Sequence, residues 1–214
     1  MNNKNNIVSP NVNYLLSKVV SNSIKGCFWG FVNYKDIEGI KEELDNIDTI
    51  MIVKKGNICI CEVDPNYLVT TINQLQSNTY TQEELNLIQQ RAADAVVEFE
   101  KFLIEKGKDK ENFTGTIGIY CTNMNPTMVY KSVNYPAFRL NMVKVLQLLQ
   151  EYGYLVKVGS EYVDIETAIK DKKSLWGSVM VSPMLTGIFM NIRCNLSKSE
   201  MIEKEKYFNQ KYGI

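Results

Sequence analysis

The chain has 214 residues, with 24 basic and 24 acidic side chains, a pI near 6.4 and no histidine. That balance supplies no global field for phosphate backbones or anionic membranes. The missing imidazole excludes Ser-His-Asp and Cys-His catalysis and removes the commonest metal ligand. At this length one sizeable core, or at most two small ones, is within reach. Arginine, whose planar fork favours phosphate and base recognition, occurs only at Arg91, Arg139 and Arg193. Cys27, Cys59, Cys61, Cys121 and Cys194 contain no C-x-x-C pair. Their odd number and apolar neighbours describe reduced, buried thiols of an intracellular protein.

Residues 1–11 read as a flexible polar arm without the apolar run of a signal peptide. Nowhere is there the run of roughly 18 apolar residues that a membrane-spanning helix needs. Val12, Leu15, Leu16, Val19 and Val20 have helical spacing and predict an amphipathic helix over 12–24. Cys27 to Val32, short and aromatic, predicts a buried strand, and Ile37, Ile40 and Leu44 predict a small helix over 36–47. These three pieces are expected to cover one sheet face. Thr49–Lys54 and Ile58–Val63 flank Lys55, Gly56 and Asn57 and predict a hairpin. Both of its faces are apolar, so the two strands are expected in the centre of the sheet. Asp64 and Pro65 stop the second strand, and 66–76 reads as a short helical or irregular segment.

Thr81 and Glu84 form a capping box that opens a long helix, expected to run to about Lys106 before Gly107. Leu85, Ala92 and Phe99, with Ile88, Ala95 and Phe102, make a seam expected to pack on the protein's own sheet, widened by Val96 and Leu103. Arg91, Asp94, Glu98 and Lys101 fall on the solvated side. The charged stretch from Lys106 to Asn112 reads as a connection and the best candidate hinge. Strands are expected at 114–122 and 127–133, then a helix from Pro136 to Tyr152 ended by Gly153. Tyr154–Val158 and Glu161–Ile165 flank Gly159 and Ser160, a hairpin signal, and Leu175–Val181 with Thr186–Cys194 predict another. Ser197 and Glu200 form a second capping box that starts a terminal helix. Hairpins separated by helices define an α+β fold with a largely antiparallel sheet packed by two long amphipathic helices. The expected organisation is the arm, one domain over 12–195, and an amphipathic helix over 196–214.

Chemistry is sparse. Cys59 and Cys61 would share one side of a strand, but no second pair stands at ligand spacing, so buried small hydrophobes are the favoured reading. Cys121 and Cys194 lack an activator as nucleophiles. Glu62 and Asp64, two apart at a strand end, are the best enzyme-like feature and could hold a divalent metal, although acidic residues there commonly initiate turns. No phosphate-cradling glycine loop occurs, and no cofactor is expected. Lys170, Lys172 and Lys173 beside Trp176 could contact nucleic acid, but Asp164 and Asp171 dilute the patch. What remains is apolar surface at Phe28, Trp29 and Phe31, at Met184 and Phe189, and at Met201, Phe208 and Tyr212. Core burial would account for much of it, and these eight residues form the candidate interface.

The order of strand 114–122, crossover, helix 136–152, small hairpin 154–165 and paired strands 175–181 and 186–194 resembles tail-terminator and head-completion proteins of tailed bacteriophages. Those are small α+β subunits that form rings between capsid portal and tail. The resemblance implies a non-enzymatic virion protein assembled in the host cytoplasm into a homo-oligomeric ring. Its partners would be portal, connector or tail subunits; composition and charge add the expectation of no membrane and make nucleic acid a disfavoured partner. The resemblance rests on element order and carries no functional residue across, and the hairpin at Lys55–Asn57 and the long helix from Thr81 depart from the family's small versions. Two other readings are a metal-dependent enzyme using Glu62 and Asp64 on a phosphate-containing substrate, and a nucleic-acid-binding module.

Overall fold

The computed structural model describes residues 29–31, 50–55, 58–74, 80–122, 136–140, 142–170, 178–181 and 185–214. The expected arm, the helices over 12–24 and 36–47 and the strand over 127–133 lie outside them. The described residues form an α+β fold with a three-stranded and a six-stranded sheet.

The first sheet is built from β1 (Trp29–Phe31), β2 (Ile50–Lys55) and β3 (Ile58–Val63) in the order β1-β3-β2, antiparallel throughout. Lys55 opposite Ile58 closes the expected hairpin. Two expectations change. The aromatic run is a member of this sheet, pairing Trp29 with Glu62, not a cover over its face. Only β3 is central, and among the described residues β2 is an edge. A doubly apolar strand reports what lies above and below it, whereas edge or centre is decided by backbone partners distant in sequence.

Asp64 then caps α1 (Pro65–Gln74). Its carbonyl accepts from Leu68 N–H, and its Oδ1 accepts from Asn66 N–H at 2.9 Å. Pro65 occupies the first helical position, where no donor is lost. Helix α2 (Gln82–Asp109) opens on the predicted capping box: Thr81 Oγ1 accepts from Glu84 N–H at 3.2 Å, and Glu84 Oε2 accepts from Thr81 N–H at 2.8 Å. Leu85 and Ile88 are buried toward its start, where α1 contacts α2, while Ala95, Phe99, Leu103 and Ile104 belong to the main core. The helix does not stop at Gly107. It continues for another two residues, and Gly107 is buried against Met201, with Met201 Cε 2.6 Å from where a Cβ would stand. The expected hinge is instead a close helix contact.

In the second sheet, β9 (Leu185–Cys194) is the spine. It pairs along nine positions with β4 (Thr114–Thr122) on one side. On the other it pairs with β8 (Ser178–Val181) and then with β6 (Tyr154–Val158). Strand β7 (Glu161–Val163) extends from β6, and Gly159, at φ +62°, makes their turn. The expected helix from Pro136 begins later. Residues Ala137–Phe138 form β5, parallel to β4, with Gly118 N–H donating to the Pro136 carbonyl at 2.9 Å, and α3 covers Met142–Glu151. Phe138 and Leu140, two apart, are both buried, the period of a strand. Phe138 meets Phe99 edge to face at 4.8 Å between ring centroids.

Residues Ile165–Lys170, expected to begin with the end of a strand, form the short helix α4. Asp164 starts it by accepting Thr167 N–H at 2.8 Å and the Thr167 hydroxyl at 3.0 Å, which holds its carboxyl below the usual range. Helix α5 (Lys198–Tyr212) opens on Ser197 and Glu200 as predicted and ends at Gly213 with φ +68°. Its apolar face is turned onto its own chain: Met201 and Phe208 are fully buried in the core beside α2.

Candidate functional site

The structure disperses the residues that the sequence singled out. Met201 and Phe208 are core residues and Tyr212 is half-buried, so the tail helix turns these side chains onto its own chain. Phe189 is half-buried on β9, and Trp29 and Phe31 lie in β1. Phe28 and Met184 fall outside the described residues, as do Lys172, Lys173 and Trp176. Lys170 is exposed on α4. Glu62 stands in β3 opposite Trp29 and Met51, whereas Asp64 caps α1, the turn-initiating role. Among the described residues no three Asp, Glu or Cys side chains gather as a metal site. Cys194 is buried, and burial pushes its thiol up, away from the reactive thiolate form.

A different cluster, not anticipated from sequence, gathers at Glu100. This carboxylate is fully buried on α2. Its Oε1 accepts from the Tyr152 hydroxyl at 3.1 Å and from Lys211 Nζ at 2.8 Å, and its Oε2 accepts from the Tyr212 hydroxyl at 2.5 Å. Three elements therefore converge on one charge: α2, the end of α3 and the last turn of α5. A buried carboxylate is costly unless paired and hydrogen-bonded, and here both oxygens are engaged. Lys204 Nζ also stands 5.9 Å from the centre of the Tyr152 ring. The signal was present in the sequence, because Glu100 lies four residues after Val96 and four before Ile104, within the apolar stripe.

The protonation states follow from this geometry. Burial, then the charge of Glu100, raises Tyr152 strongly. Burial, then the hydrogen bond to Glu100, pushes Tyr212 up to about 12. For Lys211 burial acts downward, but the bond and charge of Glu100 outweigh it and the net is raised. All three groups keep their protons at neutral pH. Both hydroxyl protons and one lysine N–H are spent on Glu100, so the cluster ties three elements together through one buried acceptor.

Beside it lies a cavity of about 290 Å³. Ala92, Ala93 and Val96 of α2 form an apolar floor with Leu140. Asp64, Asn66, Gln89, Lys144, Lys211 and Tyr212 form its polar side. The two alanines make the room, since larger side chains at the same helix positions would fill it. Comparison of the chain with protein-family models, curated proteins and solved structures finds no match in any of the three.

Proposed function

We propose that the chain is a non-enzymatic structural subunit that self-assembles by strand addition, forming a ring at the head-to-tail connector or tail of a tailed phage. The observation that carries this reading is β2. Among the described residues it pairs on one side only, and its sequence Ile50-Met51-Ile52-Val53 is apolar at four successive positions. A strand apolar on both faces at a sheet edge is a template for a further strand, and soluble monomers usually blunt such edges with charge or proline. Within β2 only Lys54 and Lys55, at its end, do so. The order of β4, α3, the β6–β7 hairpin, β8 and β9 supports the same reading, because it is the order on which the resemblance to connector-ring subunits rests, with α4 added. Among the described residues no helix is long and apolar enough to cross a membrane.

Light scattering and native mass spectrometry test the proposal, with electron microscopy for ring shape. The expected result is a closed oligomer of defined mass. A protein that stays monomeric at every concentration and never copurifies with a larger particle overturns it.

A further inference from the structure

We propose that the half-exposed face of the second sheet, centred on Arg193 and Tyr162, binds single-stranded nucleic acid. The inference does not rest on the assembly reading. On β9, Ile188, Met190 and Ile192 are buried in the core, so the alternate residues Phe189, Asn191 and Arg193 face away from it, and all three are half-buried. Tyr154 and Val156 of β6 are core residues too, which puts Lys157 on the outer face, and Lys157 pairs with Tyr162 of β7. Arg193 reaches over β6 to bring its guanidinium above the Tyr162 ring, 4.8 Å from the centroid. Strands β9 and β7 are two strand spacings apart, about 10 Å, so the stack holds a long side chain in place before any ligand arrives.

Among the described residues neither Arg193 nor Lys157 has a carboxylate partner, so both charges and the guanidinium's donor fork are unspent. The Thr116 hydroxyl donates to Asn191 Oδ1 at 2.7 Å, which fixes the amide and leaves its Nδ2 protons to donate. Glu161 alternates to the other side together with Val163, which packs on the core, and the Asp164 carboxylate is taken by Thr167. The described face is therefore positive although the whole chain is neutral. These groups match an unpaired strand of nucleotides: the cations meet phosphates, the guanidinium plane and the aromatic rings stack on bases, and the amide donates to base or sugar oxygens. A duplex hides its bases from such a flat surface, and an acidic peptide would use the two cations but bring nothing planar to the rings.

The test is fluorescence anisotropy of the full chain with a labelled oligothymidine of about 12 nucleotides, compared with a labelled oligoaspartate of equal charge. The oligonucleotide is expected to bind with an affinity that falls as salt rises, and the oligoaspartate to bind at least about ten-fold more weakly. Arg193→Gln and Tyr162→Leu are each expected to weaken oligonucleotide binding about ten-fold. Lys157→Gln should lower the slope of log affinity against log salt by about 0.7. It removes a side chain without an ion-pair partner among the described residues, so it reads the face even where a stack variant loses stability. Lys206→Gln, which takes an equal charge from the exposed side of α5, should leave affinity and slope unchanged. Absence of binding, oligoaspartate binding as tight as the oligonucleotide, full affinity in Arg193→Gln, an unchanged slope in Lys157→Gln, or an equal loss in Lys206→Gln would each overturn the proposal.

Discussion

Replacing Gly107 by alanine tests whether the tail helix is docked as closely as the structure places it. A Cβ at this position would stand 2.6 Å from Met201 Cε, 3.0 Å from Cγ and 3.2 Å from Sδ, so the whole buried thioether must move. Two effects oppose each other. Alanine in a helix interior is better than glycine by about 1 kcal/mol, and overpacking a buried contact costs about 1 to 3 kcal/mol. Gly107→Ala should therefore cost from roughly 0 to 2 kcal/mol. Met201→Ala alone leaves a cavity and should cost about 2 to 5 kcal/mol. In that background the collision is gone, and adding Gly107→Ala should stabilise by about 1 kcal/mol or slightly more, because the propensity gain remains and the new methyl partly fills the space. The sign of one substitution thus depends on the other, the signature of direct coupling. Urea unfolding followed by circular dichroism, with the m-value checked for constancy, measures all four corners of the cycle. If Gly107→Ala stabilises by the same amount in both backgrounds, Met201 does not press on Gly107, and the docking of α5 on α2 is wrong.

Three further outcomes are expected. Gly153→Ala should destabilise by about 2 to 5 kcal/mol, because it combines left-handed strain at φ +66° with a Cβ only 2.4 Å from Leu196 Cγ. Gly159→Ala, at φ +62° with open space around it, should cost only the strain of about 1 to 2 kcal/mol, and chemical denaturation of the two variants side by side checks the difference. Tyr212 is raised from 10.0 to about 12 in the folded state and Lys211 is raised above 10.5, so the folded chain holds both protons more tightly than the unfolded one. Their contribution is present in full below pH 10 and is lost as pH rises through 12. Thermal melts between pH 9 and 12.5 should show a fall that is shallower in Glu100→Gln, and equal slopes would count against the network. If β2 carries the proposed assembly, charging it by Ile52→Lys should leave free subunits with the far-ultraviolet spectrum unchanged, and an oligomer that survives would count against strand addition at β2.

The local signals were legible where short-range chemistry decides the outcome. The β2–β3 hairpin, the capping boxes at Thr81 and Ser197 and the turn at Gly159 rest on residues within a few positions of one another. Misreadings came where long-range pairing competes with periodicity. Phe138 fitted a helical repeat with Met142 and Val145, yet β4 claims its backbone as a parallel strand. Gly107 looked like a helix stop because glycine usually is one, and only the position of Met201, 94 residues later in the numbering of this chain, explains it inside a helix. Glu100 was readable as an acid in an apolar stripe, but its partners Tyr152, Lys211 and Tyr212 follow from no local rule.

The sequence by itself determined the α+β class, most of the described element bounds and the absence of histidine chemistry, because propensity, capping and composition act locally. The tertiary structure decided which apolar surfaces are core and which are edge. It turned the tail helix inward, set β2 at a sheet margin among the described residues and placed a buried carboxylate beside a small cavity. Those outcomes depend on which distant residues share one volume, and the pairing of Glu100 with a lysine 111 positions away is settled only when the chain has closed on itself.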